Sequence, residues 1–240
     1  YTDVWDHQPP GVFALFAGAS ALFGDSPTVF RLLALSFSLA SMLLLAGIGR
    51  RLRGPWCGAI AAVLFALTSA DPGTAGEGCN REIYMNALVL AAWYAAARGD
   101  WPVGRRALVA GVALGLGSVV KTVLAVHWVA LAPVLLLAGP RGRGALRTLG
   151  LFAVGPAAIW LAVGGYFAAT SRWHEFFDAV FLFNLGYAGG DGSLPARFIA
   201  FFSPQGHPFT FDSALPLWIG GALATAWLVM RVVLHRDRAA

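Results

Sequence analysis

The chain has 240 residues, 58% hydrophobic and 12% charged, with a mean hydropathy of +0.68. An ordinary soluble domain is about 25% charged, so this composition excludes a water-soluble globule, and its apolar content excludes disorder. An integral membrane protein remains, and the net charge of +5 then reads as a topology signal rather than a nucleic-acid surface, because the arginines flank apolar runs.

The first ten residues, Tyr-Thr-Asp-Val-Trp-Asp-His-Gln-Pro-Pro, are polar and aromatic, with no starting Met and no cleavable signal peptide. At least one helix is expected upstream of them. Asp3, Asp6 and His7 lie within five residues of each other, enough to hold a divalent cation or to act as acid and base. The following prolines give an extended entry into the next helix. The competing reading is a wet polar loop. The apolar run 11–24 has 14 residues, short of the roughly 20 that span a bilayer, and reads as an interfacial or re-entrant helix.

Longer apolar runs follow, punctuated by Gly, Pro and Arg. They predict spans at about 28–49, 55–70, 82–98, 106–120, 121–138, 145–170 and 213–235, making one transmembrane domain over 1–240. The short spans at 55–70 and 106–120 need flanking residues or a thinned bilayer. Arginine clusters at 50–53, 98–106, 141–147 and 231–238 hold 12 of the 17 basic residues and fall on one side, which the positive-inside rule makes cytoplasmic. Ten of the twelve acids fall on the other side, pointing to chemistry there, although the longer loops of that face account for part of the excess. Sixteen arginines against one lysine, with abundant Ala, Gly and Leu, fit a GC-rich bacterial genome and a multi-pass protein of the inner membrane.

Within this frame Arg81 and Glu82 start a helix at the outer face. An acid suits a helix N-terminus, whereas a cation there is mildly unfavourable, which favours a functional role for Arg81. Lys121, the sole lysine, falls between two apolar segments. A hairpin turning at 118–121 puts its ammonium at the outer surface, ready to meet a phosphate or simply to snorkel. Gly111, Gly115 and Gly117 read as small-residue helix packing. His127, inside an apolar span, reads as a hydrogen-bonded core histidine. The loop 171–212 is long and aromatic, consistent with a half-immersed helix near 173–185 followed by a lid. It carries Arg172, His174, Glu175, Asp178, Asn184, Arg197 and His207 as candidate clamps or ligands. Cys57 and Cys79 form neither a disulfide framework nor a zinc site.

Several pieces resemble a family. Tyr1-x-Asp3-x-Trp5-Asp6-His7-Gln8-Pro9-Pro10-Gly11, Leu22-Phe23-Gly24 and Phe30-Arg31-Leu32 are similar to the first outer loop and following helix of GT-C membrane glycosyltransferases of the protein-mannosyltransferase-like and aminoarabinose-transferase-like groups, families 39 and 83. Arg81-Glu82-Ile83-Tyr84-Met85-Asn86, Lys121 after a Gly-rich helix, and Phe176-Phe177-x-x-Val180-x-x-x-Asn184-x-x-Tyr187 extend the resemblance over most of the chain.

It implies an all-α, polytopic transmembrane bundle with an outer-face juxtamembrane helix and one long outer loop. The implied reaction is inverting hexosyl or pentosyl transfer from a polyprenyl-phosphate carrier to a lipid, glycan or protein acceptor on the outer face. Asp6 and Glu82 are then the catalytic candidates, Arg81, Lys121, Arg172 and Arg197 the substrate-binding ones, and His7 and His174 the candidate ligands of a divalent metal ion, the one cofactor considered. Two departures stand out. The acidic motif that relatives carry after their first helix is not in this chain, so the main catalytic acid is expected upstream of residue 1. Gln8 stands where many relatives have Lys. The alternative is a transporter or flippase for a lipid-linked anionic substrate, which needs ionisable residues at mid-membrane depth; here they gather at helix ends. A third possibility is a structural membrane subunit without sugar turnover.

Overall fold

The computed structural model describes residues 6–70, 78–139, 141–189, 219–221 and 223. The chain divides into two units, one of 1–70 and 75–189, the other of 71–74 and 190–240. Of the second, residues 219–221 and 223 are described, and they are helical. The expected span 213–235 otherwise lies outside the described residues, as do Asp3, Arg197, His207 and the lid.

The first unit is all helix: α1 (Gly11–Phe23), α2 (Pro27–Arg53), α3 (Pro55–Ser69), α4 (Arg81–Ala96), α5 (Val103–Ser118), a 3₁₀ turn (Thr122–Leu124), α6 (Ala125–Leu137), α7 (Arg143–Ala169), α8 (Trp173–Phe177), a π turn (Asp178–Leu182) and α9 (Phe183–Gly189). The all-α expectation holds. Local signals set the boundaries. Ser26 caps α2, its hydroxyl accepting the Val29 N–H at 3.3 Å, and Pro27 takes the first helical position. At the other end Arg50, Arg51 and Arg53 complement the helix dipole, and Gly54, at φ 95°, makes the turn into Pro55 and α3.

Small residues set the packing. The most extensive interfaces are α5 with α7, α2 with α3, α4 with α5 and α2 with α4. A Cβ on Gly111 would strike the Phe152 carbonyl, and one on Gly155 would lie 2.7 Å from the Val112 Cα, so α5 and α7 meet backbone to backbone, as the glycine pattern predicts. Alanines fill the core between α4 and α5 (Ala92, Ala95, Ala96, Ala107, Ala110, Ala113) together with Leu114, Leu131, Leu135 and Phe152.

Large apolar side chains point the other way. On α2, Leu32, Leu35, Leu39 and Leu43 form an exposed stripe, and on α3 Trp56, Ile60, Val63 and Leu67 do the same. Apolar area of this extent suits hydrocarbon rather than water. Among the described residues two helices, α2 and α7 at 27 residues each, are long and apolar enough to cross a membrane, whereas α1, α3 and α6 are shorter apolar helices.

Nine of the twelve described arginines, all but Arg31, Arg81 and Arg172, gather at one end of the unit. Arg51 reaches Asp100 at 3.1 Å, which ties the end of α2 to the α4–α5 connection. Arg98 holds the same carboxylate at 2.6 Å, and Trp101 lies between the guanidiniums of Arg98 and Arg105, at 4.4 and 4.1 Å from its ring centroid. The start of α1, the start of α4 and the α5–α6 hairpin form the opposite end.

Candidate functional site

The arginine-poor end is assembled by a few cross-chain contacts. The Gly11 N–H donates to the Val119 carbonyl at 2.6 Å, docking the start of α1 on the hairpin between α5 and α6. A side chain at residue 11 would collide with the Val119 and Val120 backbone, so the contact demands glycine there. Beneath it Val12, Ala34, Tyr84 and Val120 form a buried cluster from α1, α2, α4 and the hairpin. Phe16 and Phe37 meet the Tyr84 ring edge-on.

This platform fixes the polar residues. The hairpin turns at Val119–Val120, leaving Lys121 extended ahead of the 3₁₀ turn. Its ammonium forms an ion pair with Glu82, in the first turn of α4. The pair is partly exposed, and the second Glu82 oxygen, Oε2, is enclosed with no hydrogen-bond partner among the described residues. Arg81 precedes it, half-buried.

The Asp6–His7 segment is held from the other side. The Asp6 carboxylate accepts the Gln8 N–H at 3.0 Å, an Asx-type turn, and lies 3.7 Å from His7 Nδ1. Gln8 and Pro9 are buried. The His7 ring packs on Phe183, with centroids 5.2 Å apart. The Asn184 amide donates to the His7 carbonyl at 2.7 Å and to the Val180 carbonyl at 2.9 Å. Asn184 stands two residues after the π turn, a widened turn of the kind frequent at functional sites. The segment 173–189 is thus clamped to the chain's first described residues.

Thr122, the residue after Lys121, borders a cavity of about 640 Å³ together with Ser118, Trp160, Trp173, Phe176 and Phe181. Its wall is ordered by hydrogen bonds: Trp160 Nε1 donates to Ser118 Oγ, which donates to the Gly115 carbonyl, both at 2.8 Å. Stacked Phe167 and Phe176 support it, with centroids 4.3 Å apart. A second apolar cavity of about 680 Å³ continues along α6 and α7, sharing Trp128, Ala157 and Trp160 with the first.

Of the site candidates, Glu82 and Lys121 are in contact, Arg81 adjoins them, and Asp6 and His7 are linked to the same hairpin through Gly11 and Val119. Arg172 is exposed beside α8. His174 is 90% exposed, 3.9 Å from Asp178. Among the described residues no three His, Cys, Asp or Glu side chains converge; Asp6 and His7 supply two neighbouring donors, short of a set that holds a divalent ion by itself. Half-buried His127 accepts from Trp93 Nε1 at 3.4 Å.

The cavity, and the His7 carbonyl as the partner of Asn184, one of the candidate clamps, were not legible beforehand. The aromatic spacing in 173–185 hints at the first, but which helices the aromatics face depends on the fold.

Residues 7–166 match the family model described as dolichyl-phosphate-mannose-protein mannosyltransferase. No curated protein and no solved structure matches the chain. The matched region runs from His7 into the last turn of α7, taking in the Gly11 docking contact, the Glu82–Lys121 pair and the glycine-packed α5–α7 core. The chain belongs to the dolichyl-phosphate-mannose-protein mannosyltransferase family, membrane glycosyltransferases of the GT-C type that use a lipid-linked sugar donor.

Proposed function

We propose that the protein transfers a sugar from a polyprenyl-phosphate carrier to a lipid, glycan or protein acceptor at the arginine-poor face of the membrane, the outer face by the positive-inside rule. In this reading α2 to α7 each cross the bilayer, α1 lies along the outer surface, and the chain is a multi-pass protein of a bacterial inner membrane. The observation that carries it is the Glu82–Lys121 pair at the edge of an apolar cavity, since Ser118 and Thr122, flanking Lys121, both border that cavity. A charged rim on an apolar chamber suits an amphipathic ligand with an anionic head. The phosphate sits at Lys121 and Arg81, and the prenyl tail runs between α6 and α7.

The reaction is an inverting displacement. An acceptor hydroxyl attacks the anomeric carbon, the carbon–phosphate-oxygen bond breaks, and the electron pair leaves with the polyprenyl phosphate. The cations stabilise the charge that develops on that phosphate, and a carboxylate takes the acceptor proton. The unpartnered Oε2 of Glu82 supports a role for it at the acceptor side, with Asp6 as the second carboxylate. Arg172 and Arg197 are the remaining phosphate candidates, and His7 and His174 the metal candidates.

The test is sugar transfer by the intact protein carrying Lys121→Ala, Arg81→Ala or Glu82→Gln. Loss of a charge-assisted contact of about 1.5–3 kcal/mol lowers donor use roughly tenfold or more. Glu82→Gln lowers turnover more than donor affinity. Expression stays normal for all three, because each residue ends a helix. Near wild-type transfer by all three variants refutes the assignment.

A further inference from the structure

At the arginine-rich end, far from the sugar-transfer site, a separate cavity of about 510 Å³ lies between the first turns of α5 and α7. Arg105 comes from α5 and Arg147 from α7, with Gly144 and Thr148 beside them and Leu108 and Leu151 further along the same two helices. Both arginines are exposed. Among the described residues no acid pairs with either. Asp100 is the acid described at this end, and Arg98 and Arg51 hold it at 2.6 and 3.1 Å. Arg105 rests on the Trp101 face, and among the described residues Arg147 meets no acid. The two helices also run parallel, both starting here without an acid in the first turn, so their dipoles add positive potential to the same spot.

Two arginines bordering a groove that turns apolar along the helices match one ligand chemistry: a phosphate monoanion attached to acyl chains. We propose that this groove binds an anionic phospholipid of the arginine-rich leaflet, its phosphate between Arg105 and Arg147 and an acyl chain along Leu108 and Leu151. A basic pocket between membrane helices on the cytoplasmic side is where such headgroups are held. The planar forks of arginine suit phosphate oxygens better than an ammonium does. The acyl chains decide between a lipid and free phosphate, since the far wall of the groove is leucine. Lodged across α5 and α7, the lipid braces the glycine-packed interface that carries the Lys121 hairpin at its other end. The inference depends on the chain lying in a bilayer and not on the sugar-transfer reading.

The test uses the delipidated intact protein in a neutral detergent, titrated with dioleoylphosphatidylglycerol, dioleoylphosphatidylcholine or inorganic phosphate. Native mass spectrometry reads occupancy and thermal unfolding reads the consequence. Phosphatidylglycerol is expected to bind and raise the unfolding midpoint, while the zwitterionic lipid and inorganic phosphate do neither. The double variant Arg105→Ala/Arg147→Ala should lose about tenfold or more in phosphatidylglycerol affinity, and Arg50→Ala, at the same end but outside the groove, should lose none. Arg147→Gln alone, at an exposed position, gives a smaller loss and covers the case in which the double variant fails to fold. Equal binding of the two lipids, an equal shift with inorganic phosphate, or full affinity in both groove variants would overturn the proposal.

Discussion

Gly11→Ala is a small perturbation with a large expected effect. The added methyl would lie 2.6 Å from the Val119 carbonyl carbon and 2.8 Å from the Val120 nitrogen, both backbone atoms that cannot swing aside. Ordinary contact begins at 3.4 Å and the Val119 carbonyl oxygen lies closer still, so α1 must retreat by at least about 0.8 Å. That retreat stretches the 2.6 Å hydrogen bond from Gly11 to Val119 and loosens Val12 in the cluster beneath. Overpacking costs about 1–3 kcal/mol, and the lost hydrogen bond about 0.5–1.5 kcal/mol. The sum, roughly 1.5–4.5 kcal/mol, lowers the unfolding midpoint by roughly 3–18 °C, at about 2–4 °C per kcal/mol for a chain of this size. Gly18→Ala is the matched control. It lies in the same helix with nothing within 4 Å of the new methyl, and helix propensity alone makes it neutral or stabilising by up to about 1 kcal/mol. Thermal unfolding of the purified intact protein compares the two. Sugar transfer by Gly11→Ala should fall as well, because the Asp6–His7 segment moves with α1. A Gly11→Ala protein that melts with wild type, or a Gly18→Ala protein that is equally weakened, refutes the argument.

Gly111→Val should be more damaging still, since two helix backbones meet there; overpacking of about 3 kcal/mol or more is expected in unfolding measurements, against little change for Gly165→Ala, which has open space. Asn184→Ala removes the bonds to the His7 and Val180 carbonyls, and protease nicking near His7 should rise as the clamp opens. Asp100, hydrogen-bonded by Arg98, has its pKa held down from 3.8 to about 2. A depressed carboxylate stabilises the fold fully above its unfolded pKa, so the stability gap between wild type and Asp100→Asn should be constant above 3.8 and close as the pH falls towards about 2; a gap that widens in acid contradicts the assignment. An impermeant thiol reagent on intact cells should label Cys79, just ahead of α4, and spare Cys57, at the start of α3; labelling of Cys57 alone reverses the orientation.

The sequence by itself determined the solvent and the elements. Low charge over long apolar runs dictates a membrane protein, because backbone groups in lipid must be paired within helices. Gly54 and Pro55 mark where α2 gives way to α3, and Gly111 with Gly115 marks a close helix contact before any partner is known. Glu82 and Lys121 were legible as exceptions to the apolar pattern, each at a helix end. That they pair was not, since 39 residues separate them. Nor was the 177-residue link from Asn184 to His7, or the chamber lined by Trp160, Trp173 and Phe176. The reason is physical. Hydropathy and turn chemistry are local and read along one helix at a time. Helices apolar on every side present no polar face to name their neighbours, so their pairing is decided by how small residues let particular backbones approach, which only the packed structure settles.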